Sequence, residues 1–291
     1  MKKALVESAL TAVACIFASV SGTQAMTITP FDTAAKLAAA MVGTGITISN
    51  VTYTGAEAAS GYFSGGVAAG IGMESGIVLT SGFASNLNGT TNTSTNKTGD
   101  NVLVGSPILE ALAPGYSTYD ATILTFDFAF TDGSGGDAFF KFVFGSEEYN
   151  EYVFSYNDVV GFFLDGTAVD DNVALIPGTT TPISIDTVNL FENSGFFNDN
   201  ESNEAFPFEY DGFTDVFTIA MRGLSPGWHT MTIAVADASN KPSDPGVSTL
   251  DSGVFIQTHS LAETPVPEPA TLLLMVTGLA GLLGAGRRRT A

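Results

Sequence analysis

The segment "ILTFDFAF" (123–130) constrains the fold more than any other stretch of the chain. Leu124, Phe126, Phe128 and Phe130 fall on one side of an extended backbone, and Thr125, Asp127 and Thr131 fall on the other. A period of two marks a half-buried strand, because successive side chains of a strand point to opposite faces. The same reading predicts strands over 46–53, 76–80, 138–144, 159–164, 172–176, 183–188, 213–221, 228–236 and 253–259. Glycine- and proline-rich turns separate them, among them "TDGSGGD" (131–137) and "LSPG" (224–227). The segments 138–144 ("AFFKFVF") and 159–164 ("VVGFFL") barely alternate, so both their faces should be covered, in the middle of a two-sheet stack. One helix is expected over 31–45, capped by Asp32 and stopped by Gly43 or Gly45. The fold expected is all-β: a two-sheet, jelly-roll-like sandwich over 26–262 with one short N-terminal helix. The polar run 84–101 reads as a solvated excursion.

Both ends read as addresses. Residues 1–25 have two lysines, an apolar stretch and a small-residue site "TQA", the layout of a secretory leader. Residues 263–291 hold an uncharged run, 270–286, followed at once by Arg287, Arg288 and Arg289. That run is just long enough to span a membrane, with the arginines held on the cytoplasmic side. The formal net charge of −20 deepens once these ends are set aside, leaving Lys36, Lys97, Lys141, Arg222 and Lys241 as the only bases. Such a chain cannot neutralise a nucleic-acid backbone, but it suits divalent cations. Cys15, the one cysteine, lies in the leader, which removes disulfides, thiolate metal sites and cysteine nucleophiles from the processed chain.

The polar chemistry concentrates in "GSEEYNEYVFSYNDVVGFFLDG" (145–166). Glu147 and Glu148 are adjacent and should point to opposite faces of an extended chain. A glycoside hydrolase needs two carboxyl groups about 5–9 Å apart across a sugar. Glu147 with Glu151, or Glu148 with Asp158, are the pairs within sequence reach. His229 and His259 are the only histidines, both placed on strands, and no Gly-x-Ser-x-Gly elbow or zinc spacing accompanies them. Calcium takes six to eight oxygen ligands. The candidates for it are Glu147, Glu148, Asn157, Asp158, Asp120, Asp237 and Asp251, with Asp237 and Asp251 brought together by a hairpin across 238–250. Tyr116, Tyr119, Tyr149, Tyr152 and Tyr156 are candidates for stacking on sugars. No catalytic residue is assigned; a polysaccharide-active enzyme built on Glu147, Glu148 or Asp158 is the alternative to a structural or adhesive domain.

Two resemblances sharpen this reading. "VPEPATLLLMVTGLAGLLGAGRRR" resembles a PEP-CTERM sorting signal, with Val266, Pro267, Glu268 and Pro269 as the motif, an apolar helix, and Arg287–Arg289. The resemblance implies export, transient membrane anchoring and cleavage by an exosortase-type protease, in bacteria that make exopolysaccharide. "GIVLTSG" (76–82), "FKFVFGSEEYNEYV" (140–153), "NDVVGFFLDG" (157–166) and "DSGVFI" (251–256) resemble, in order, the choice-of-anchor L domain, with Val159-Val160 where that family more often has Val-Phe. That likeness implies an envelope-associated β-domain and no reaction.

Overall fold

The computed structural model describes residues 26–89, 91–201, 206–240 and 250–266. The expected leader and the helix expected over 270–286 lie outside these residues. Among the described residues, no helix is long and apolar enough to cross a membrane.

In chain order the elements are β1 (Thr27–Pro30), α1 (Ala34–Met41), β2 (Ile46–Thr54), β3 (Ser60–Ser64), β4 (Ser75–Thr80), α2 (Pro107–Glu110), β5 (Ser117–Phe130), β6 (Gly136–Ser146), β7 (Val159–Leu164), β8 (Phe197–Asp199), β9 (Gly212–Thr214), β10 (Phe217–Leu224), β11 (His229–Ser239) and β12 (Ser252–Gln257). They form two antiparallel sheets. The smaller has the order β2-β5-β11-β7. The larger runs β1-β3-β4-β12-β6-β9-β8, with β10 also paired to β6. The fold is a two-sheet β-sandwich.

Its main core is assembled from even-numbered residues of β6 and β12 facing alternate residues of the smaller sheet. Phe140, Phe142, Phe144, Val254 and Ile256 pack against Leu124, Phe126, Phe128, Phe162, Met231, Ile233 and Val235. The Phe142 and Phe162 rings lie 4.8 Å apart across the sheet gap. Each outer face is covered as well. Phe63, Val78, Val143 and Phe255 of the larger sheet meet Phe208, Tyr210 and Phe213. Val159, Phe163 and Ala234 of the smaller sheet meet Leu109, Leu112 and Ala113 around α2. Full burial of an aromatic or aliphatic side chain contributes about 1.5–3 kcal/mol, so these layers dominate stability.

Several expectations are corrected. β7 is an edge strand, not a central one; its second face is covered by α2 and its free edge by bridges to Asn172 and Ser184. Residues 172–176 and 183–188 are not strands, because Pro177-Gly178 and Pro182 break the run and leave only those bridges and one between Leu175 and Pro182. The strand expected over 213–221 divides at Asp215-Val216 into β9 and β10, both against β6. Thr33, not Asp32, caps α1, accepting the Lys36 N–H through its hydroxyl, while Asp32 ion-pairs with the Lys36 ammonium. His259 lies beyond β12 at a positive φ of 55°, outside any strand. β11 and β12 are not hairpin neighbours: they belong to different sheets.

The domain is closed by its last described segment. Val42 bridges Leu261, Phe139 and Ala262 exchange both main-chain hydrogen bonds, and the Glu263 N–H reaches the Thr44 carbonyl at 3.1 Å.

Candidate functional site

One end of the sandwich gathers acidic residues. β6 ends there, β12 and β7 begin there, β11 finishes there and β5 starts there. Strand parity decides which acids meet. Glu148 continues the even-numbered face of β6 (Phe140, Phe142, Phe144, Ser146), which looks between the sheets. Asp158 continues the inward face of β7 (Val160, Phe162), and Asp237 that of β11 (Met231, Ile233, Val235). Glu147 has the parity of Val143, which looks outward onto the covering layer. The adjacent glutamates therefore point to opposite faces of the larger sheet. The Glu147 N–H donates to the Asp251 carbonyl at 3.0 Å, extending the β6–β12 ladder by one residue.

The inward group is sealed from solvent. Glu148 and Asp158 are 0 % exposed and Asp237 is 1 % exposed. Asp158 is held in place: its carboxylate accepts the Ala238 N–H at 2.8 Å and the Ser252 hydroxyl at 2.6 Å. Among the described residues, neither oxygen of Glu148 has a hydrogen-bond partner, nor has Asp237 Oδ1. The neighbour Glu148 does have is the Asp158 carboxyl, which is itself an acceptor. Burial, then the charges of Asp158 and Asp237, push Glu148 well above the usual carboxylate range. Burial, then Asp158 and Asp251, do the same to Asp237. Burial lifts Asp158 to about 7 against its hydrogen bonds. Two carboxylates in contact without a donor are costly unless a proton or a cation lies between them.

The outward group centres on Glu147, 1 % exposed and with neither oxygen hydrogen-bonded. Burial, then the charges of Asp211, Glu209 and Asp251, raise it to about 11, with Lys97 pulling the other way. Asp211 is fully buried; one oxygen accepts from the Asn92 amide and the other has no partner.

Not every predicted ligand points into this centre. Asp120 accepts the N–H groups of Asn101 and Leu103 and anchors that loop. Asn157 uses its side-chain oxygen to receive the Asp186 N–H. Asp251 accepts from the Gly99 N–H, the Thr98 hydroxyl and the Asn86 amide. Gly82 makes room for it, since a Cβ there would lie 1.9 Å from the Asp251 carboxylate. The polar run 84–101 is therefore not a solvated excursion. It lies over the acidic end and supplies donors to Asp251, Glu209 and Asp211. Asp237 and Asp251 do approach each other, though across the sandwich and not through a hairpin.

Glu209 and Asp211 escaped the sequence reading because 199–211 shows no periodicity; their one signal was proximity to the aromatic run that precedes β9. Among the described residues, no group of three or more His, Cys, Asp or Glu could hold a metal ion. An ion here would take carboxylates in pairs and complete its shell with hydroxyl, amide and main-chain oxygens and water, the mixed set calcium accepts. The tyrosines do not build a stacking platform: Tyr149 and Tyr156 are buried, and the Tyr149 hydroxyl donates to the Val188 carbonyl at 2.8 Å. The exposed rings are Phe154, Phe191, Trp228 and Phe83.

A two-sheet antiparallel sandwich with acids sealed at one end defines an all-β domain. The chain belongs to the choice-of-anchor L domain family, which it matches over residues 27–262. Residues 265–289 match the PEP-CTERM protein-sorting motif, which implies export, processing by exosortase and membrane-associated sorting to the cell surface. No curated protein and no solved structure matches the chain.

Proposed function

We propose that the protein is a non-catalytic structural or adhesive component of the cell envelope or its polysaccharide matrix, and that calcium bound between the sheets stabilises it. The observation that carries this reading is the sealed, donor-free pair of Glu148 oxygens beside Asp158 and Asp237. Glu147, Glu148 and Asp158, the carboxyls suited to sugar hydrolysis, are 1 % exposed or less, so a polysaccharide has no access to them. A divalent cation supplies the missing counter-charge. Glu148 and Asp158 would hold it as a pair, with Asp237 beside them and the Ser252 hydroxyl close by on Asp158. The partners in this reading are the exosortase and, after release, other envelope or matrix components.

The test is a thermal melt of purified protein in calcium, in magnesium and in chelator. A single bound ion at about a hundredfold excess over Kd adds about 2.7 kcal/mol. A rise in melting temperature with calcium is expected. Identical melting in calcium and in chelator would sink the calcium reading.

A further inference from the structure

We infer that the acidic end contains a second divalent-cation site, separate from the one between the sheets, formed on the outer side of the larger sheet by Glu147 and Asp211 with Glu209 beside them. The inference deepens the calcium reading, and rests on its premise that a cation supplies the missing counter-charge.

Geometry separates the two compartments. The strand parity that turns Glu148 inward turns Glu147 outward, so the sheet backbone at 147–148 stands between them. The neighbours differ accordingly. The charges acting on Glu148 come first from Asp158 and Asp237, and those acting on Glu147 come first from Asp211 and Glu209.

An independent observation points to a ligand. Glu147 is 1 % exposed and Asp211 0 % exposed, yet among the described residues both Glu147 oxygens and Asp211 Oδ2 have no hydrogen-bond partner. Carried one step further, the antiparallel β6–β9 register, with Gly145 opposite Phe213 and Ser146 opposite Gly212, sets Glu147 opposite Asp211, so three unpartnered oxygens belong to two neighbouring carboxylates. Nearby donors exist but are spent elsewhere: the Asn92 amide serves the other Asp211 oxygen, and the Thr93 N–H and hydroxyl serve Glu209 at 3.2 and 2.7 Å. The donors named are uncharged and Lys97 is the cation acting on Glu147, so the carboxylates of Glu147, Asp211 and Glu209 outnumber the positive charge beside them. A hard divalent ion that accepts carboxylate, amide and main-chain oxygens fits this set.

The outer site also has a structural consequence. Asn92 and Thr93 bind the carboxylates that the ion would hold, so occupancy fixes residues 91–99 to the segment before β9. The polar loop then becomes a calcium-ordered cover over the acidic end.

Three proteins decide the matter: the unaltered mature chain, E147Q/D211N, and E148Q/D237N. Each is titrated with calcium alone by calorimetry, and bound metal is counted by elemental analysis after gel filtration. Two calcium ions per chain are expected for the unaltered protein and one for each variant. Calcium should slow proteolysis within 91–99 in the unaltered protein and in E148Q/D237N, but not in E147Q/D211N. Unchanged stoichiometry and protection in E147Q/D211N overturn the outer site. If instead E148Q/D237N keeps full stoichiometry while E147Q/D211N loses an ion, the inner site fails and the outer one stands. Should either double variant not fold, the single substitutions E147Q and E148Q, each nearly isosteric, give the same comparison.

Discussion

The interplay of pH and calcium tests the acidic centre most directly. Glu147, Glu148 and Asp237 are all held above the ordinary carboxylate range, first by burial and then by neighbouring acids: Asp211 and Glu209 at Glu147, Asp158 and Asp237 at Glu148, Asp158 and Asp251 at Asp237. A carboxyl raised on folding binds its proton more tightly in the folded state. Its contribution is fully present below the unfolded value, near pH 4, and is lost as pH rises toward the folded value. Each such group withdraws about 1.4 kcal/mol per pH unit in that window. For Glu147, held at about 11, that is on the order of 3 kcal/mol between pH 5 and 7, a sizeable share of the whole stability of a domain, about 5–15 kcal/mol. In chelator, the urea midpoint should therefore fall steeply from pH 5 to pH 7. With calcium in place the carboxylates are needed in their charged form, so the slope should flatten or reverse. Glu148→Gln removes the charge while keeping the shape. It should raise stability in chelator at pH 7 and lower it in saturating calcium. Denaturation curves on the unaltered chain and this variant, with and without calcium, across pH 5–8, give the answer. Parallel pH slopes in calcium and chelator would refute the reasoning, as would a Glu148→Gln effect of one sign in both.

Other outcomes follow from the packing. Ile233→Ala should cost about 2–5 kcal/mol, since its side chain is fully buried between the sheets. Thr232→Ala, which loses a 3.1 Å hydroxyl contact with Thr125 on the other face, should cost about 1 kcal/mol; equal losses by chemical denaturation would contradict this assignment of faces. Gly82→Ala should destabilise and, by displacing Asp251, lower calcium affinity; a melt and a calcium titration unchanged from the parent would count against that contact. The His229 ring is burdened by burial but carries a net raised pKa through Asp165 and the Ser225 carbonyl, so its contribution is present in acid and fades as pH rises through the raised value. Asp165→Asn should remove that trend, and an NMR titration of the ring that is unmoved by the substitution would disprove the pairing. Secreted protein should begin near Met26 and end near Pro267 by intact mass; a main species retaining Arg287–Arg289 would reject processing.

Much of the fold is legible in the sequence, because alternation translates into burial wherever one face of a strand meets a core. Leu124, Phe126 and Phe128 show this directly. The misreadings have physical causes. A continuous apolar strand says that both faces are covered, not by what, and in β7 the second cover is the short helical segment around Leu109 and Leu112. The short strands β1, β3 and β8 carry too few apolar residues to announce themselves. The apolar runs at 172–188 mimic strands, but prolines remove the donors a ladder needs.

The site was half legible for a deeper reason. Composition places acids at the surface, and no local pattern in a sequence says that a carboxylate will be buried without a donor. That fact is created by the covering layers: Tyr149 and Val188 close the inner side, and the 84–101 loop with Tyr210 closes the outer. Parity, however, was readable from the start. Glu148, Asp158 and Asp237 each extend the core-facing register of a strand by one further step, past Ser146, before Val160 and after Val235. A core register that ends in acid on three strands of two facing sheets must bring those acids together at one rim. The chain can then neutralise them with protons or with a metal. With burial holding Glu147 at about 11, protons can fill that role at neutral pH only by leaving the group uncharged and its acceptors idle. A divalent ion uses the same oxygens as ligands, and for that reason the two alternatives differ in the sign of their response to pH.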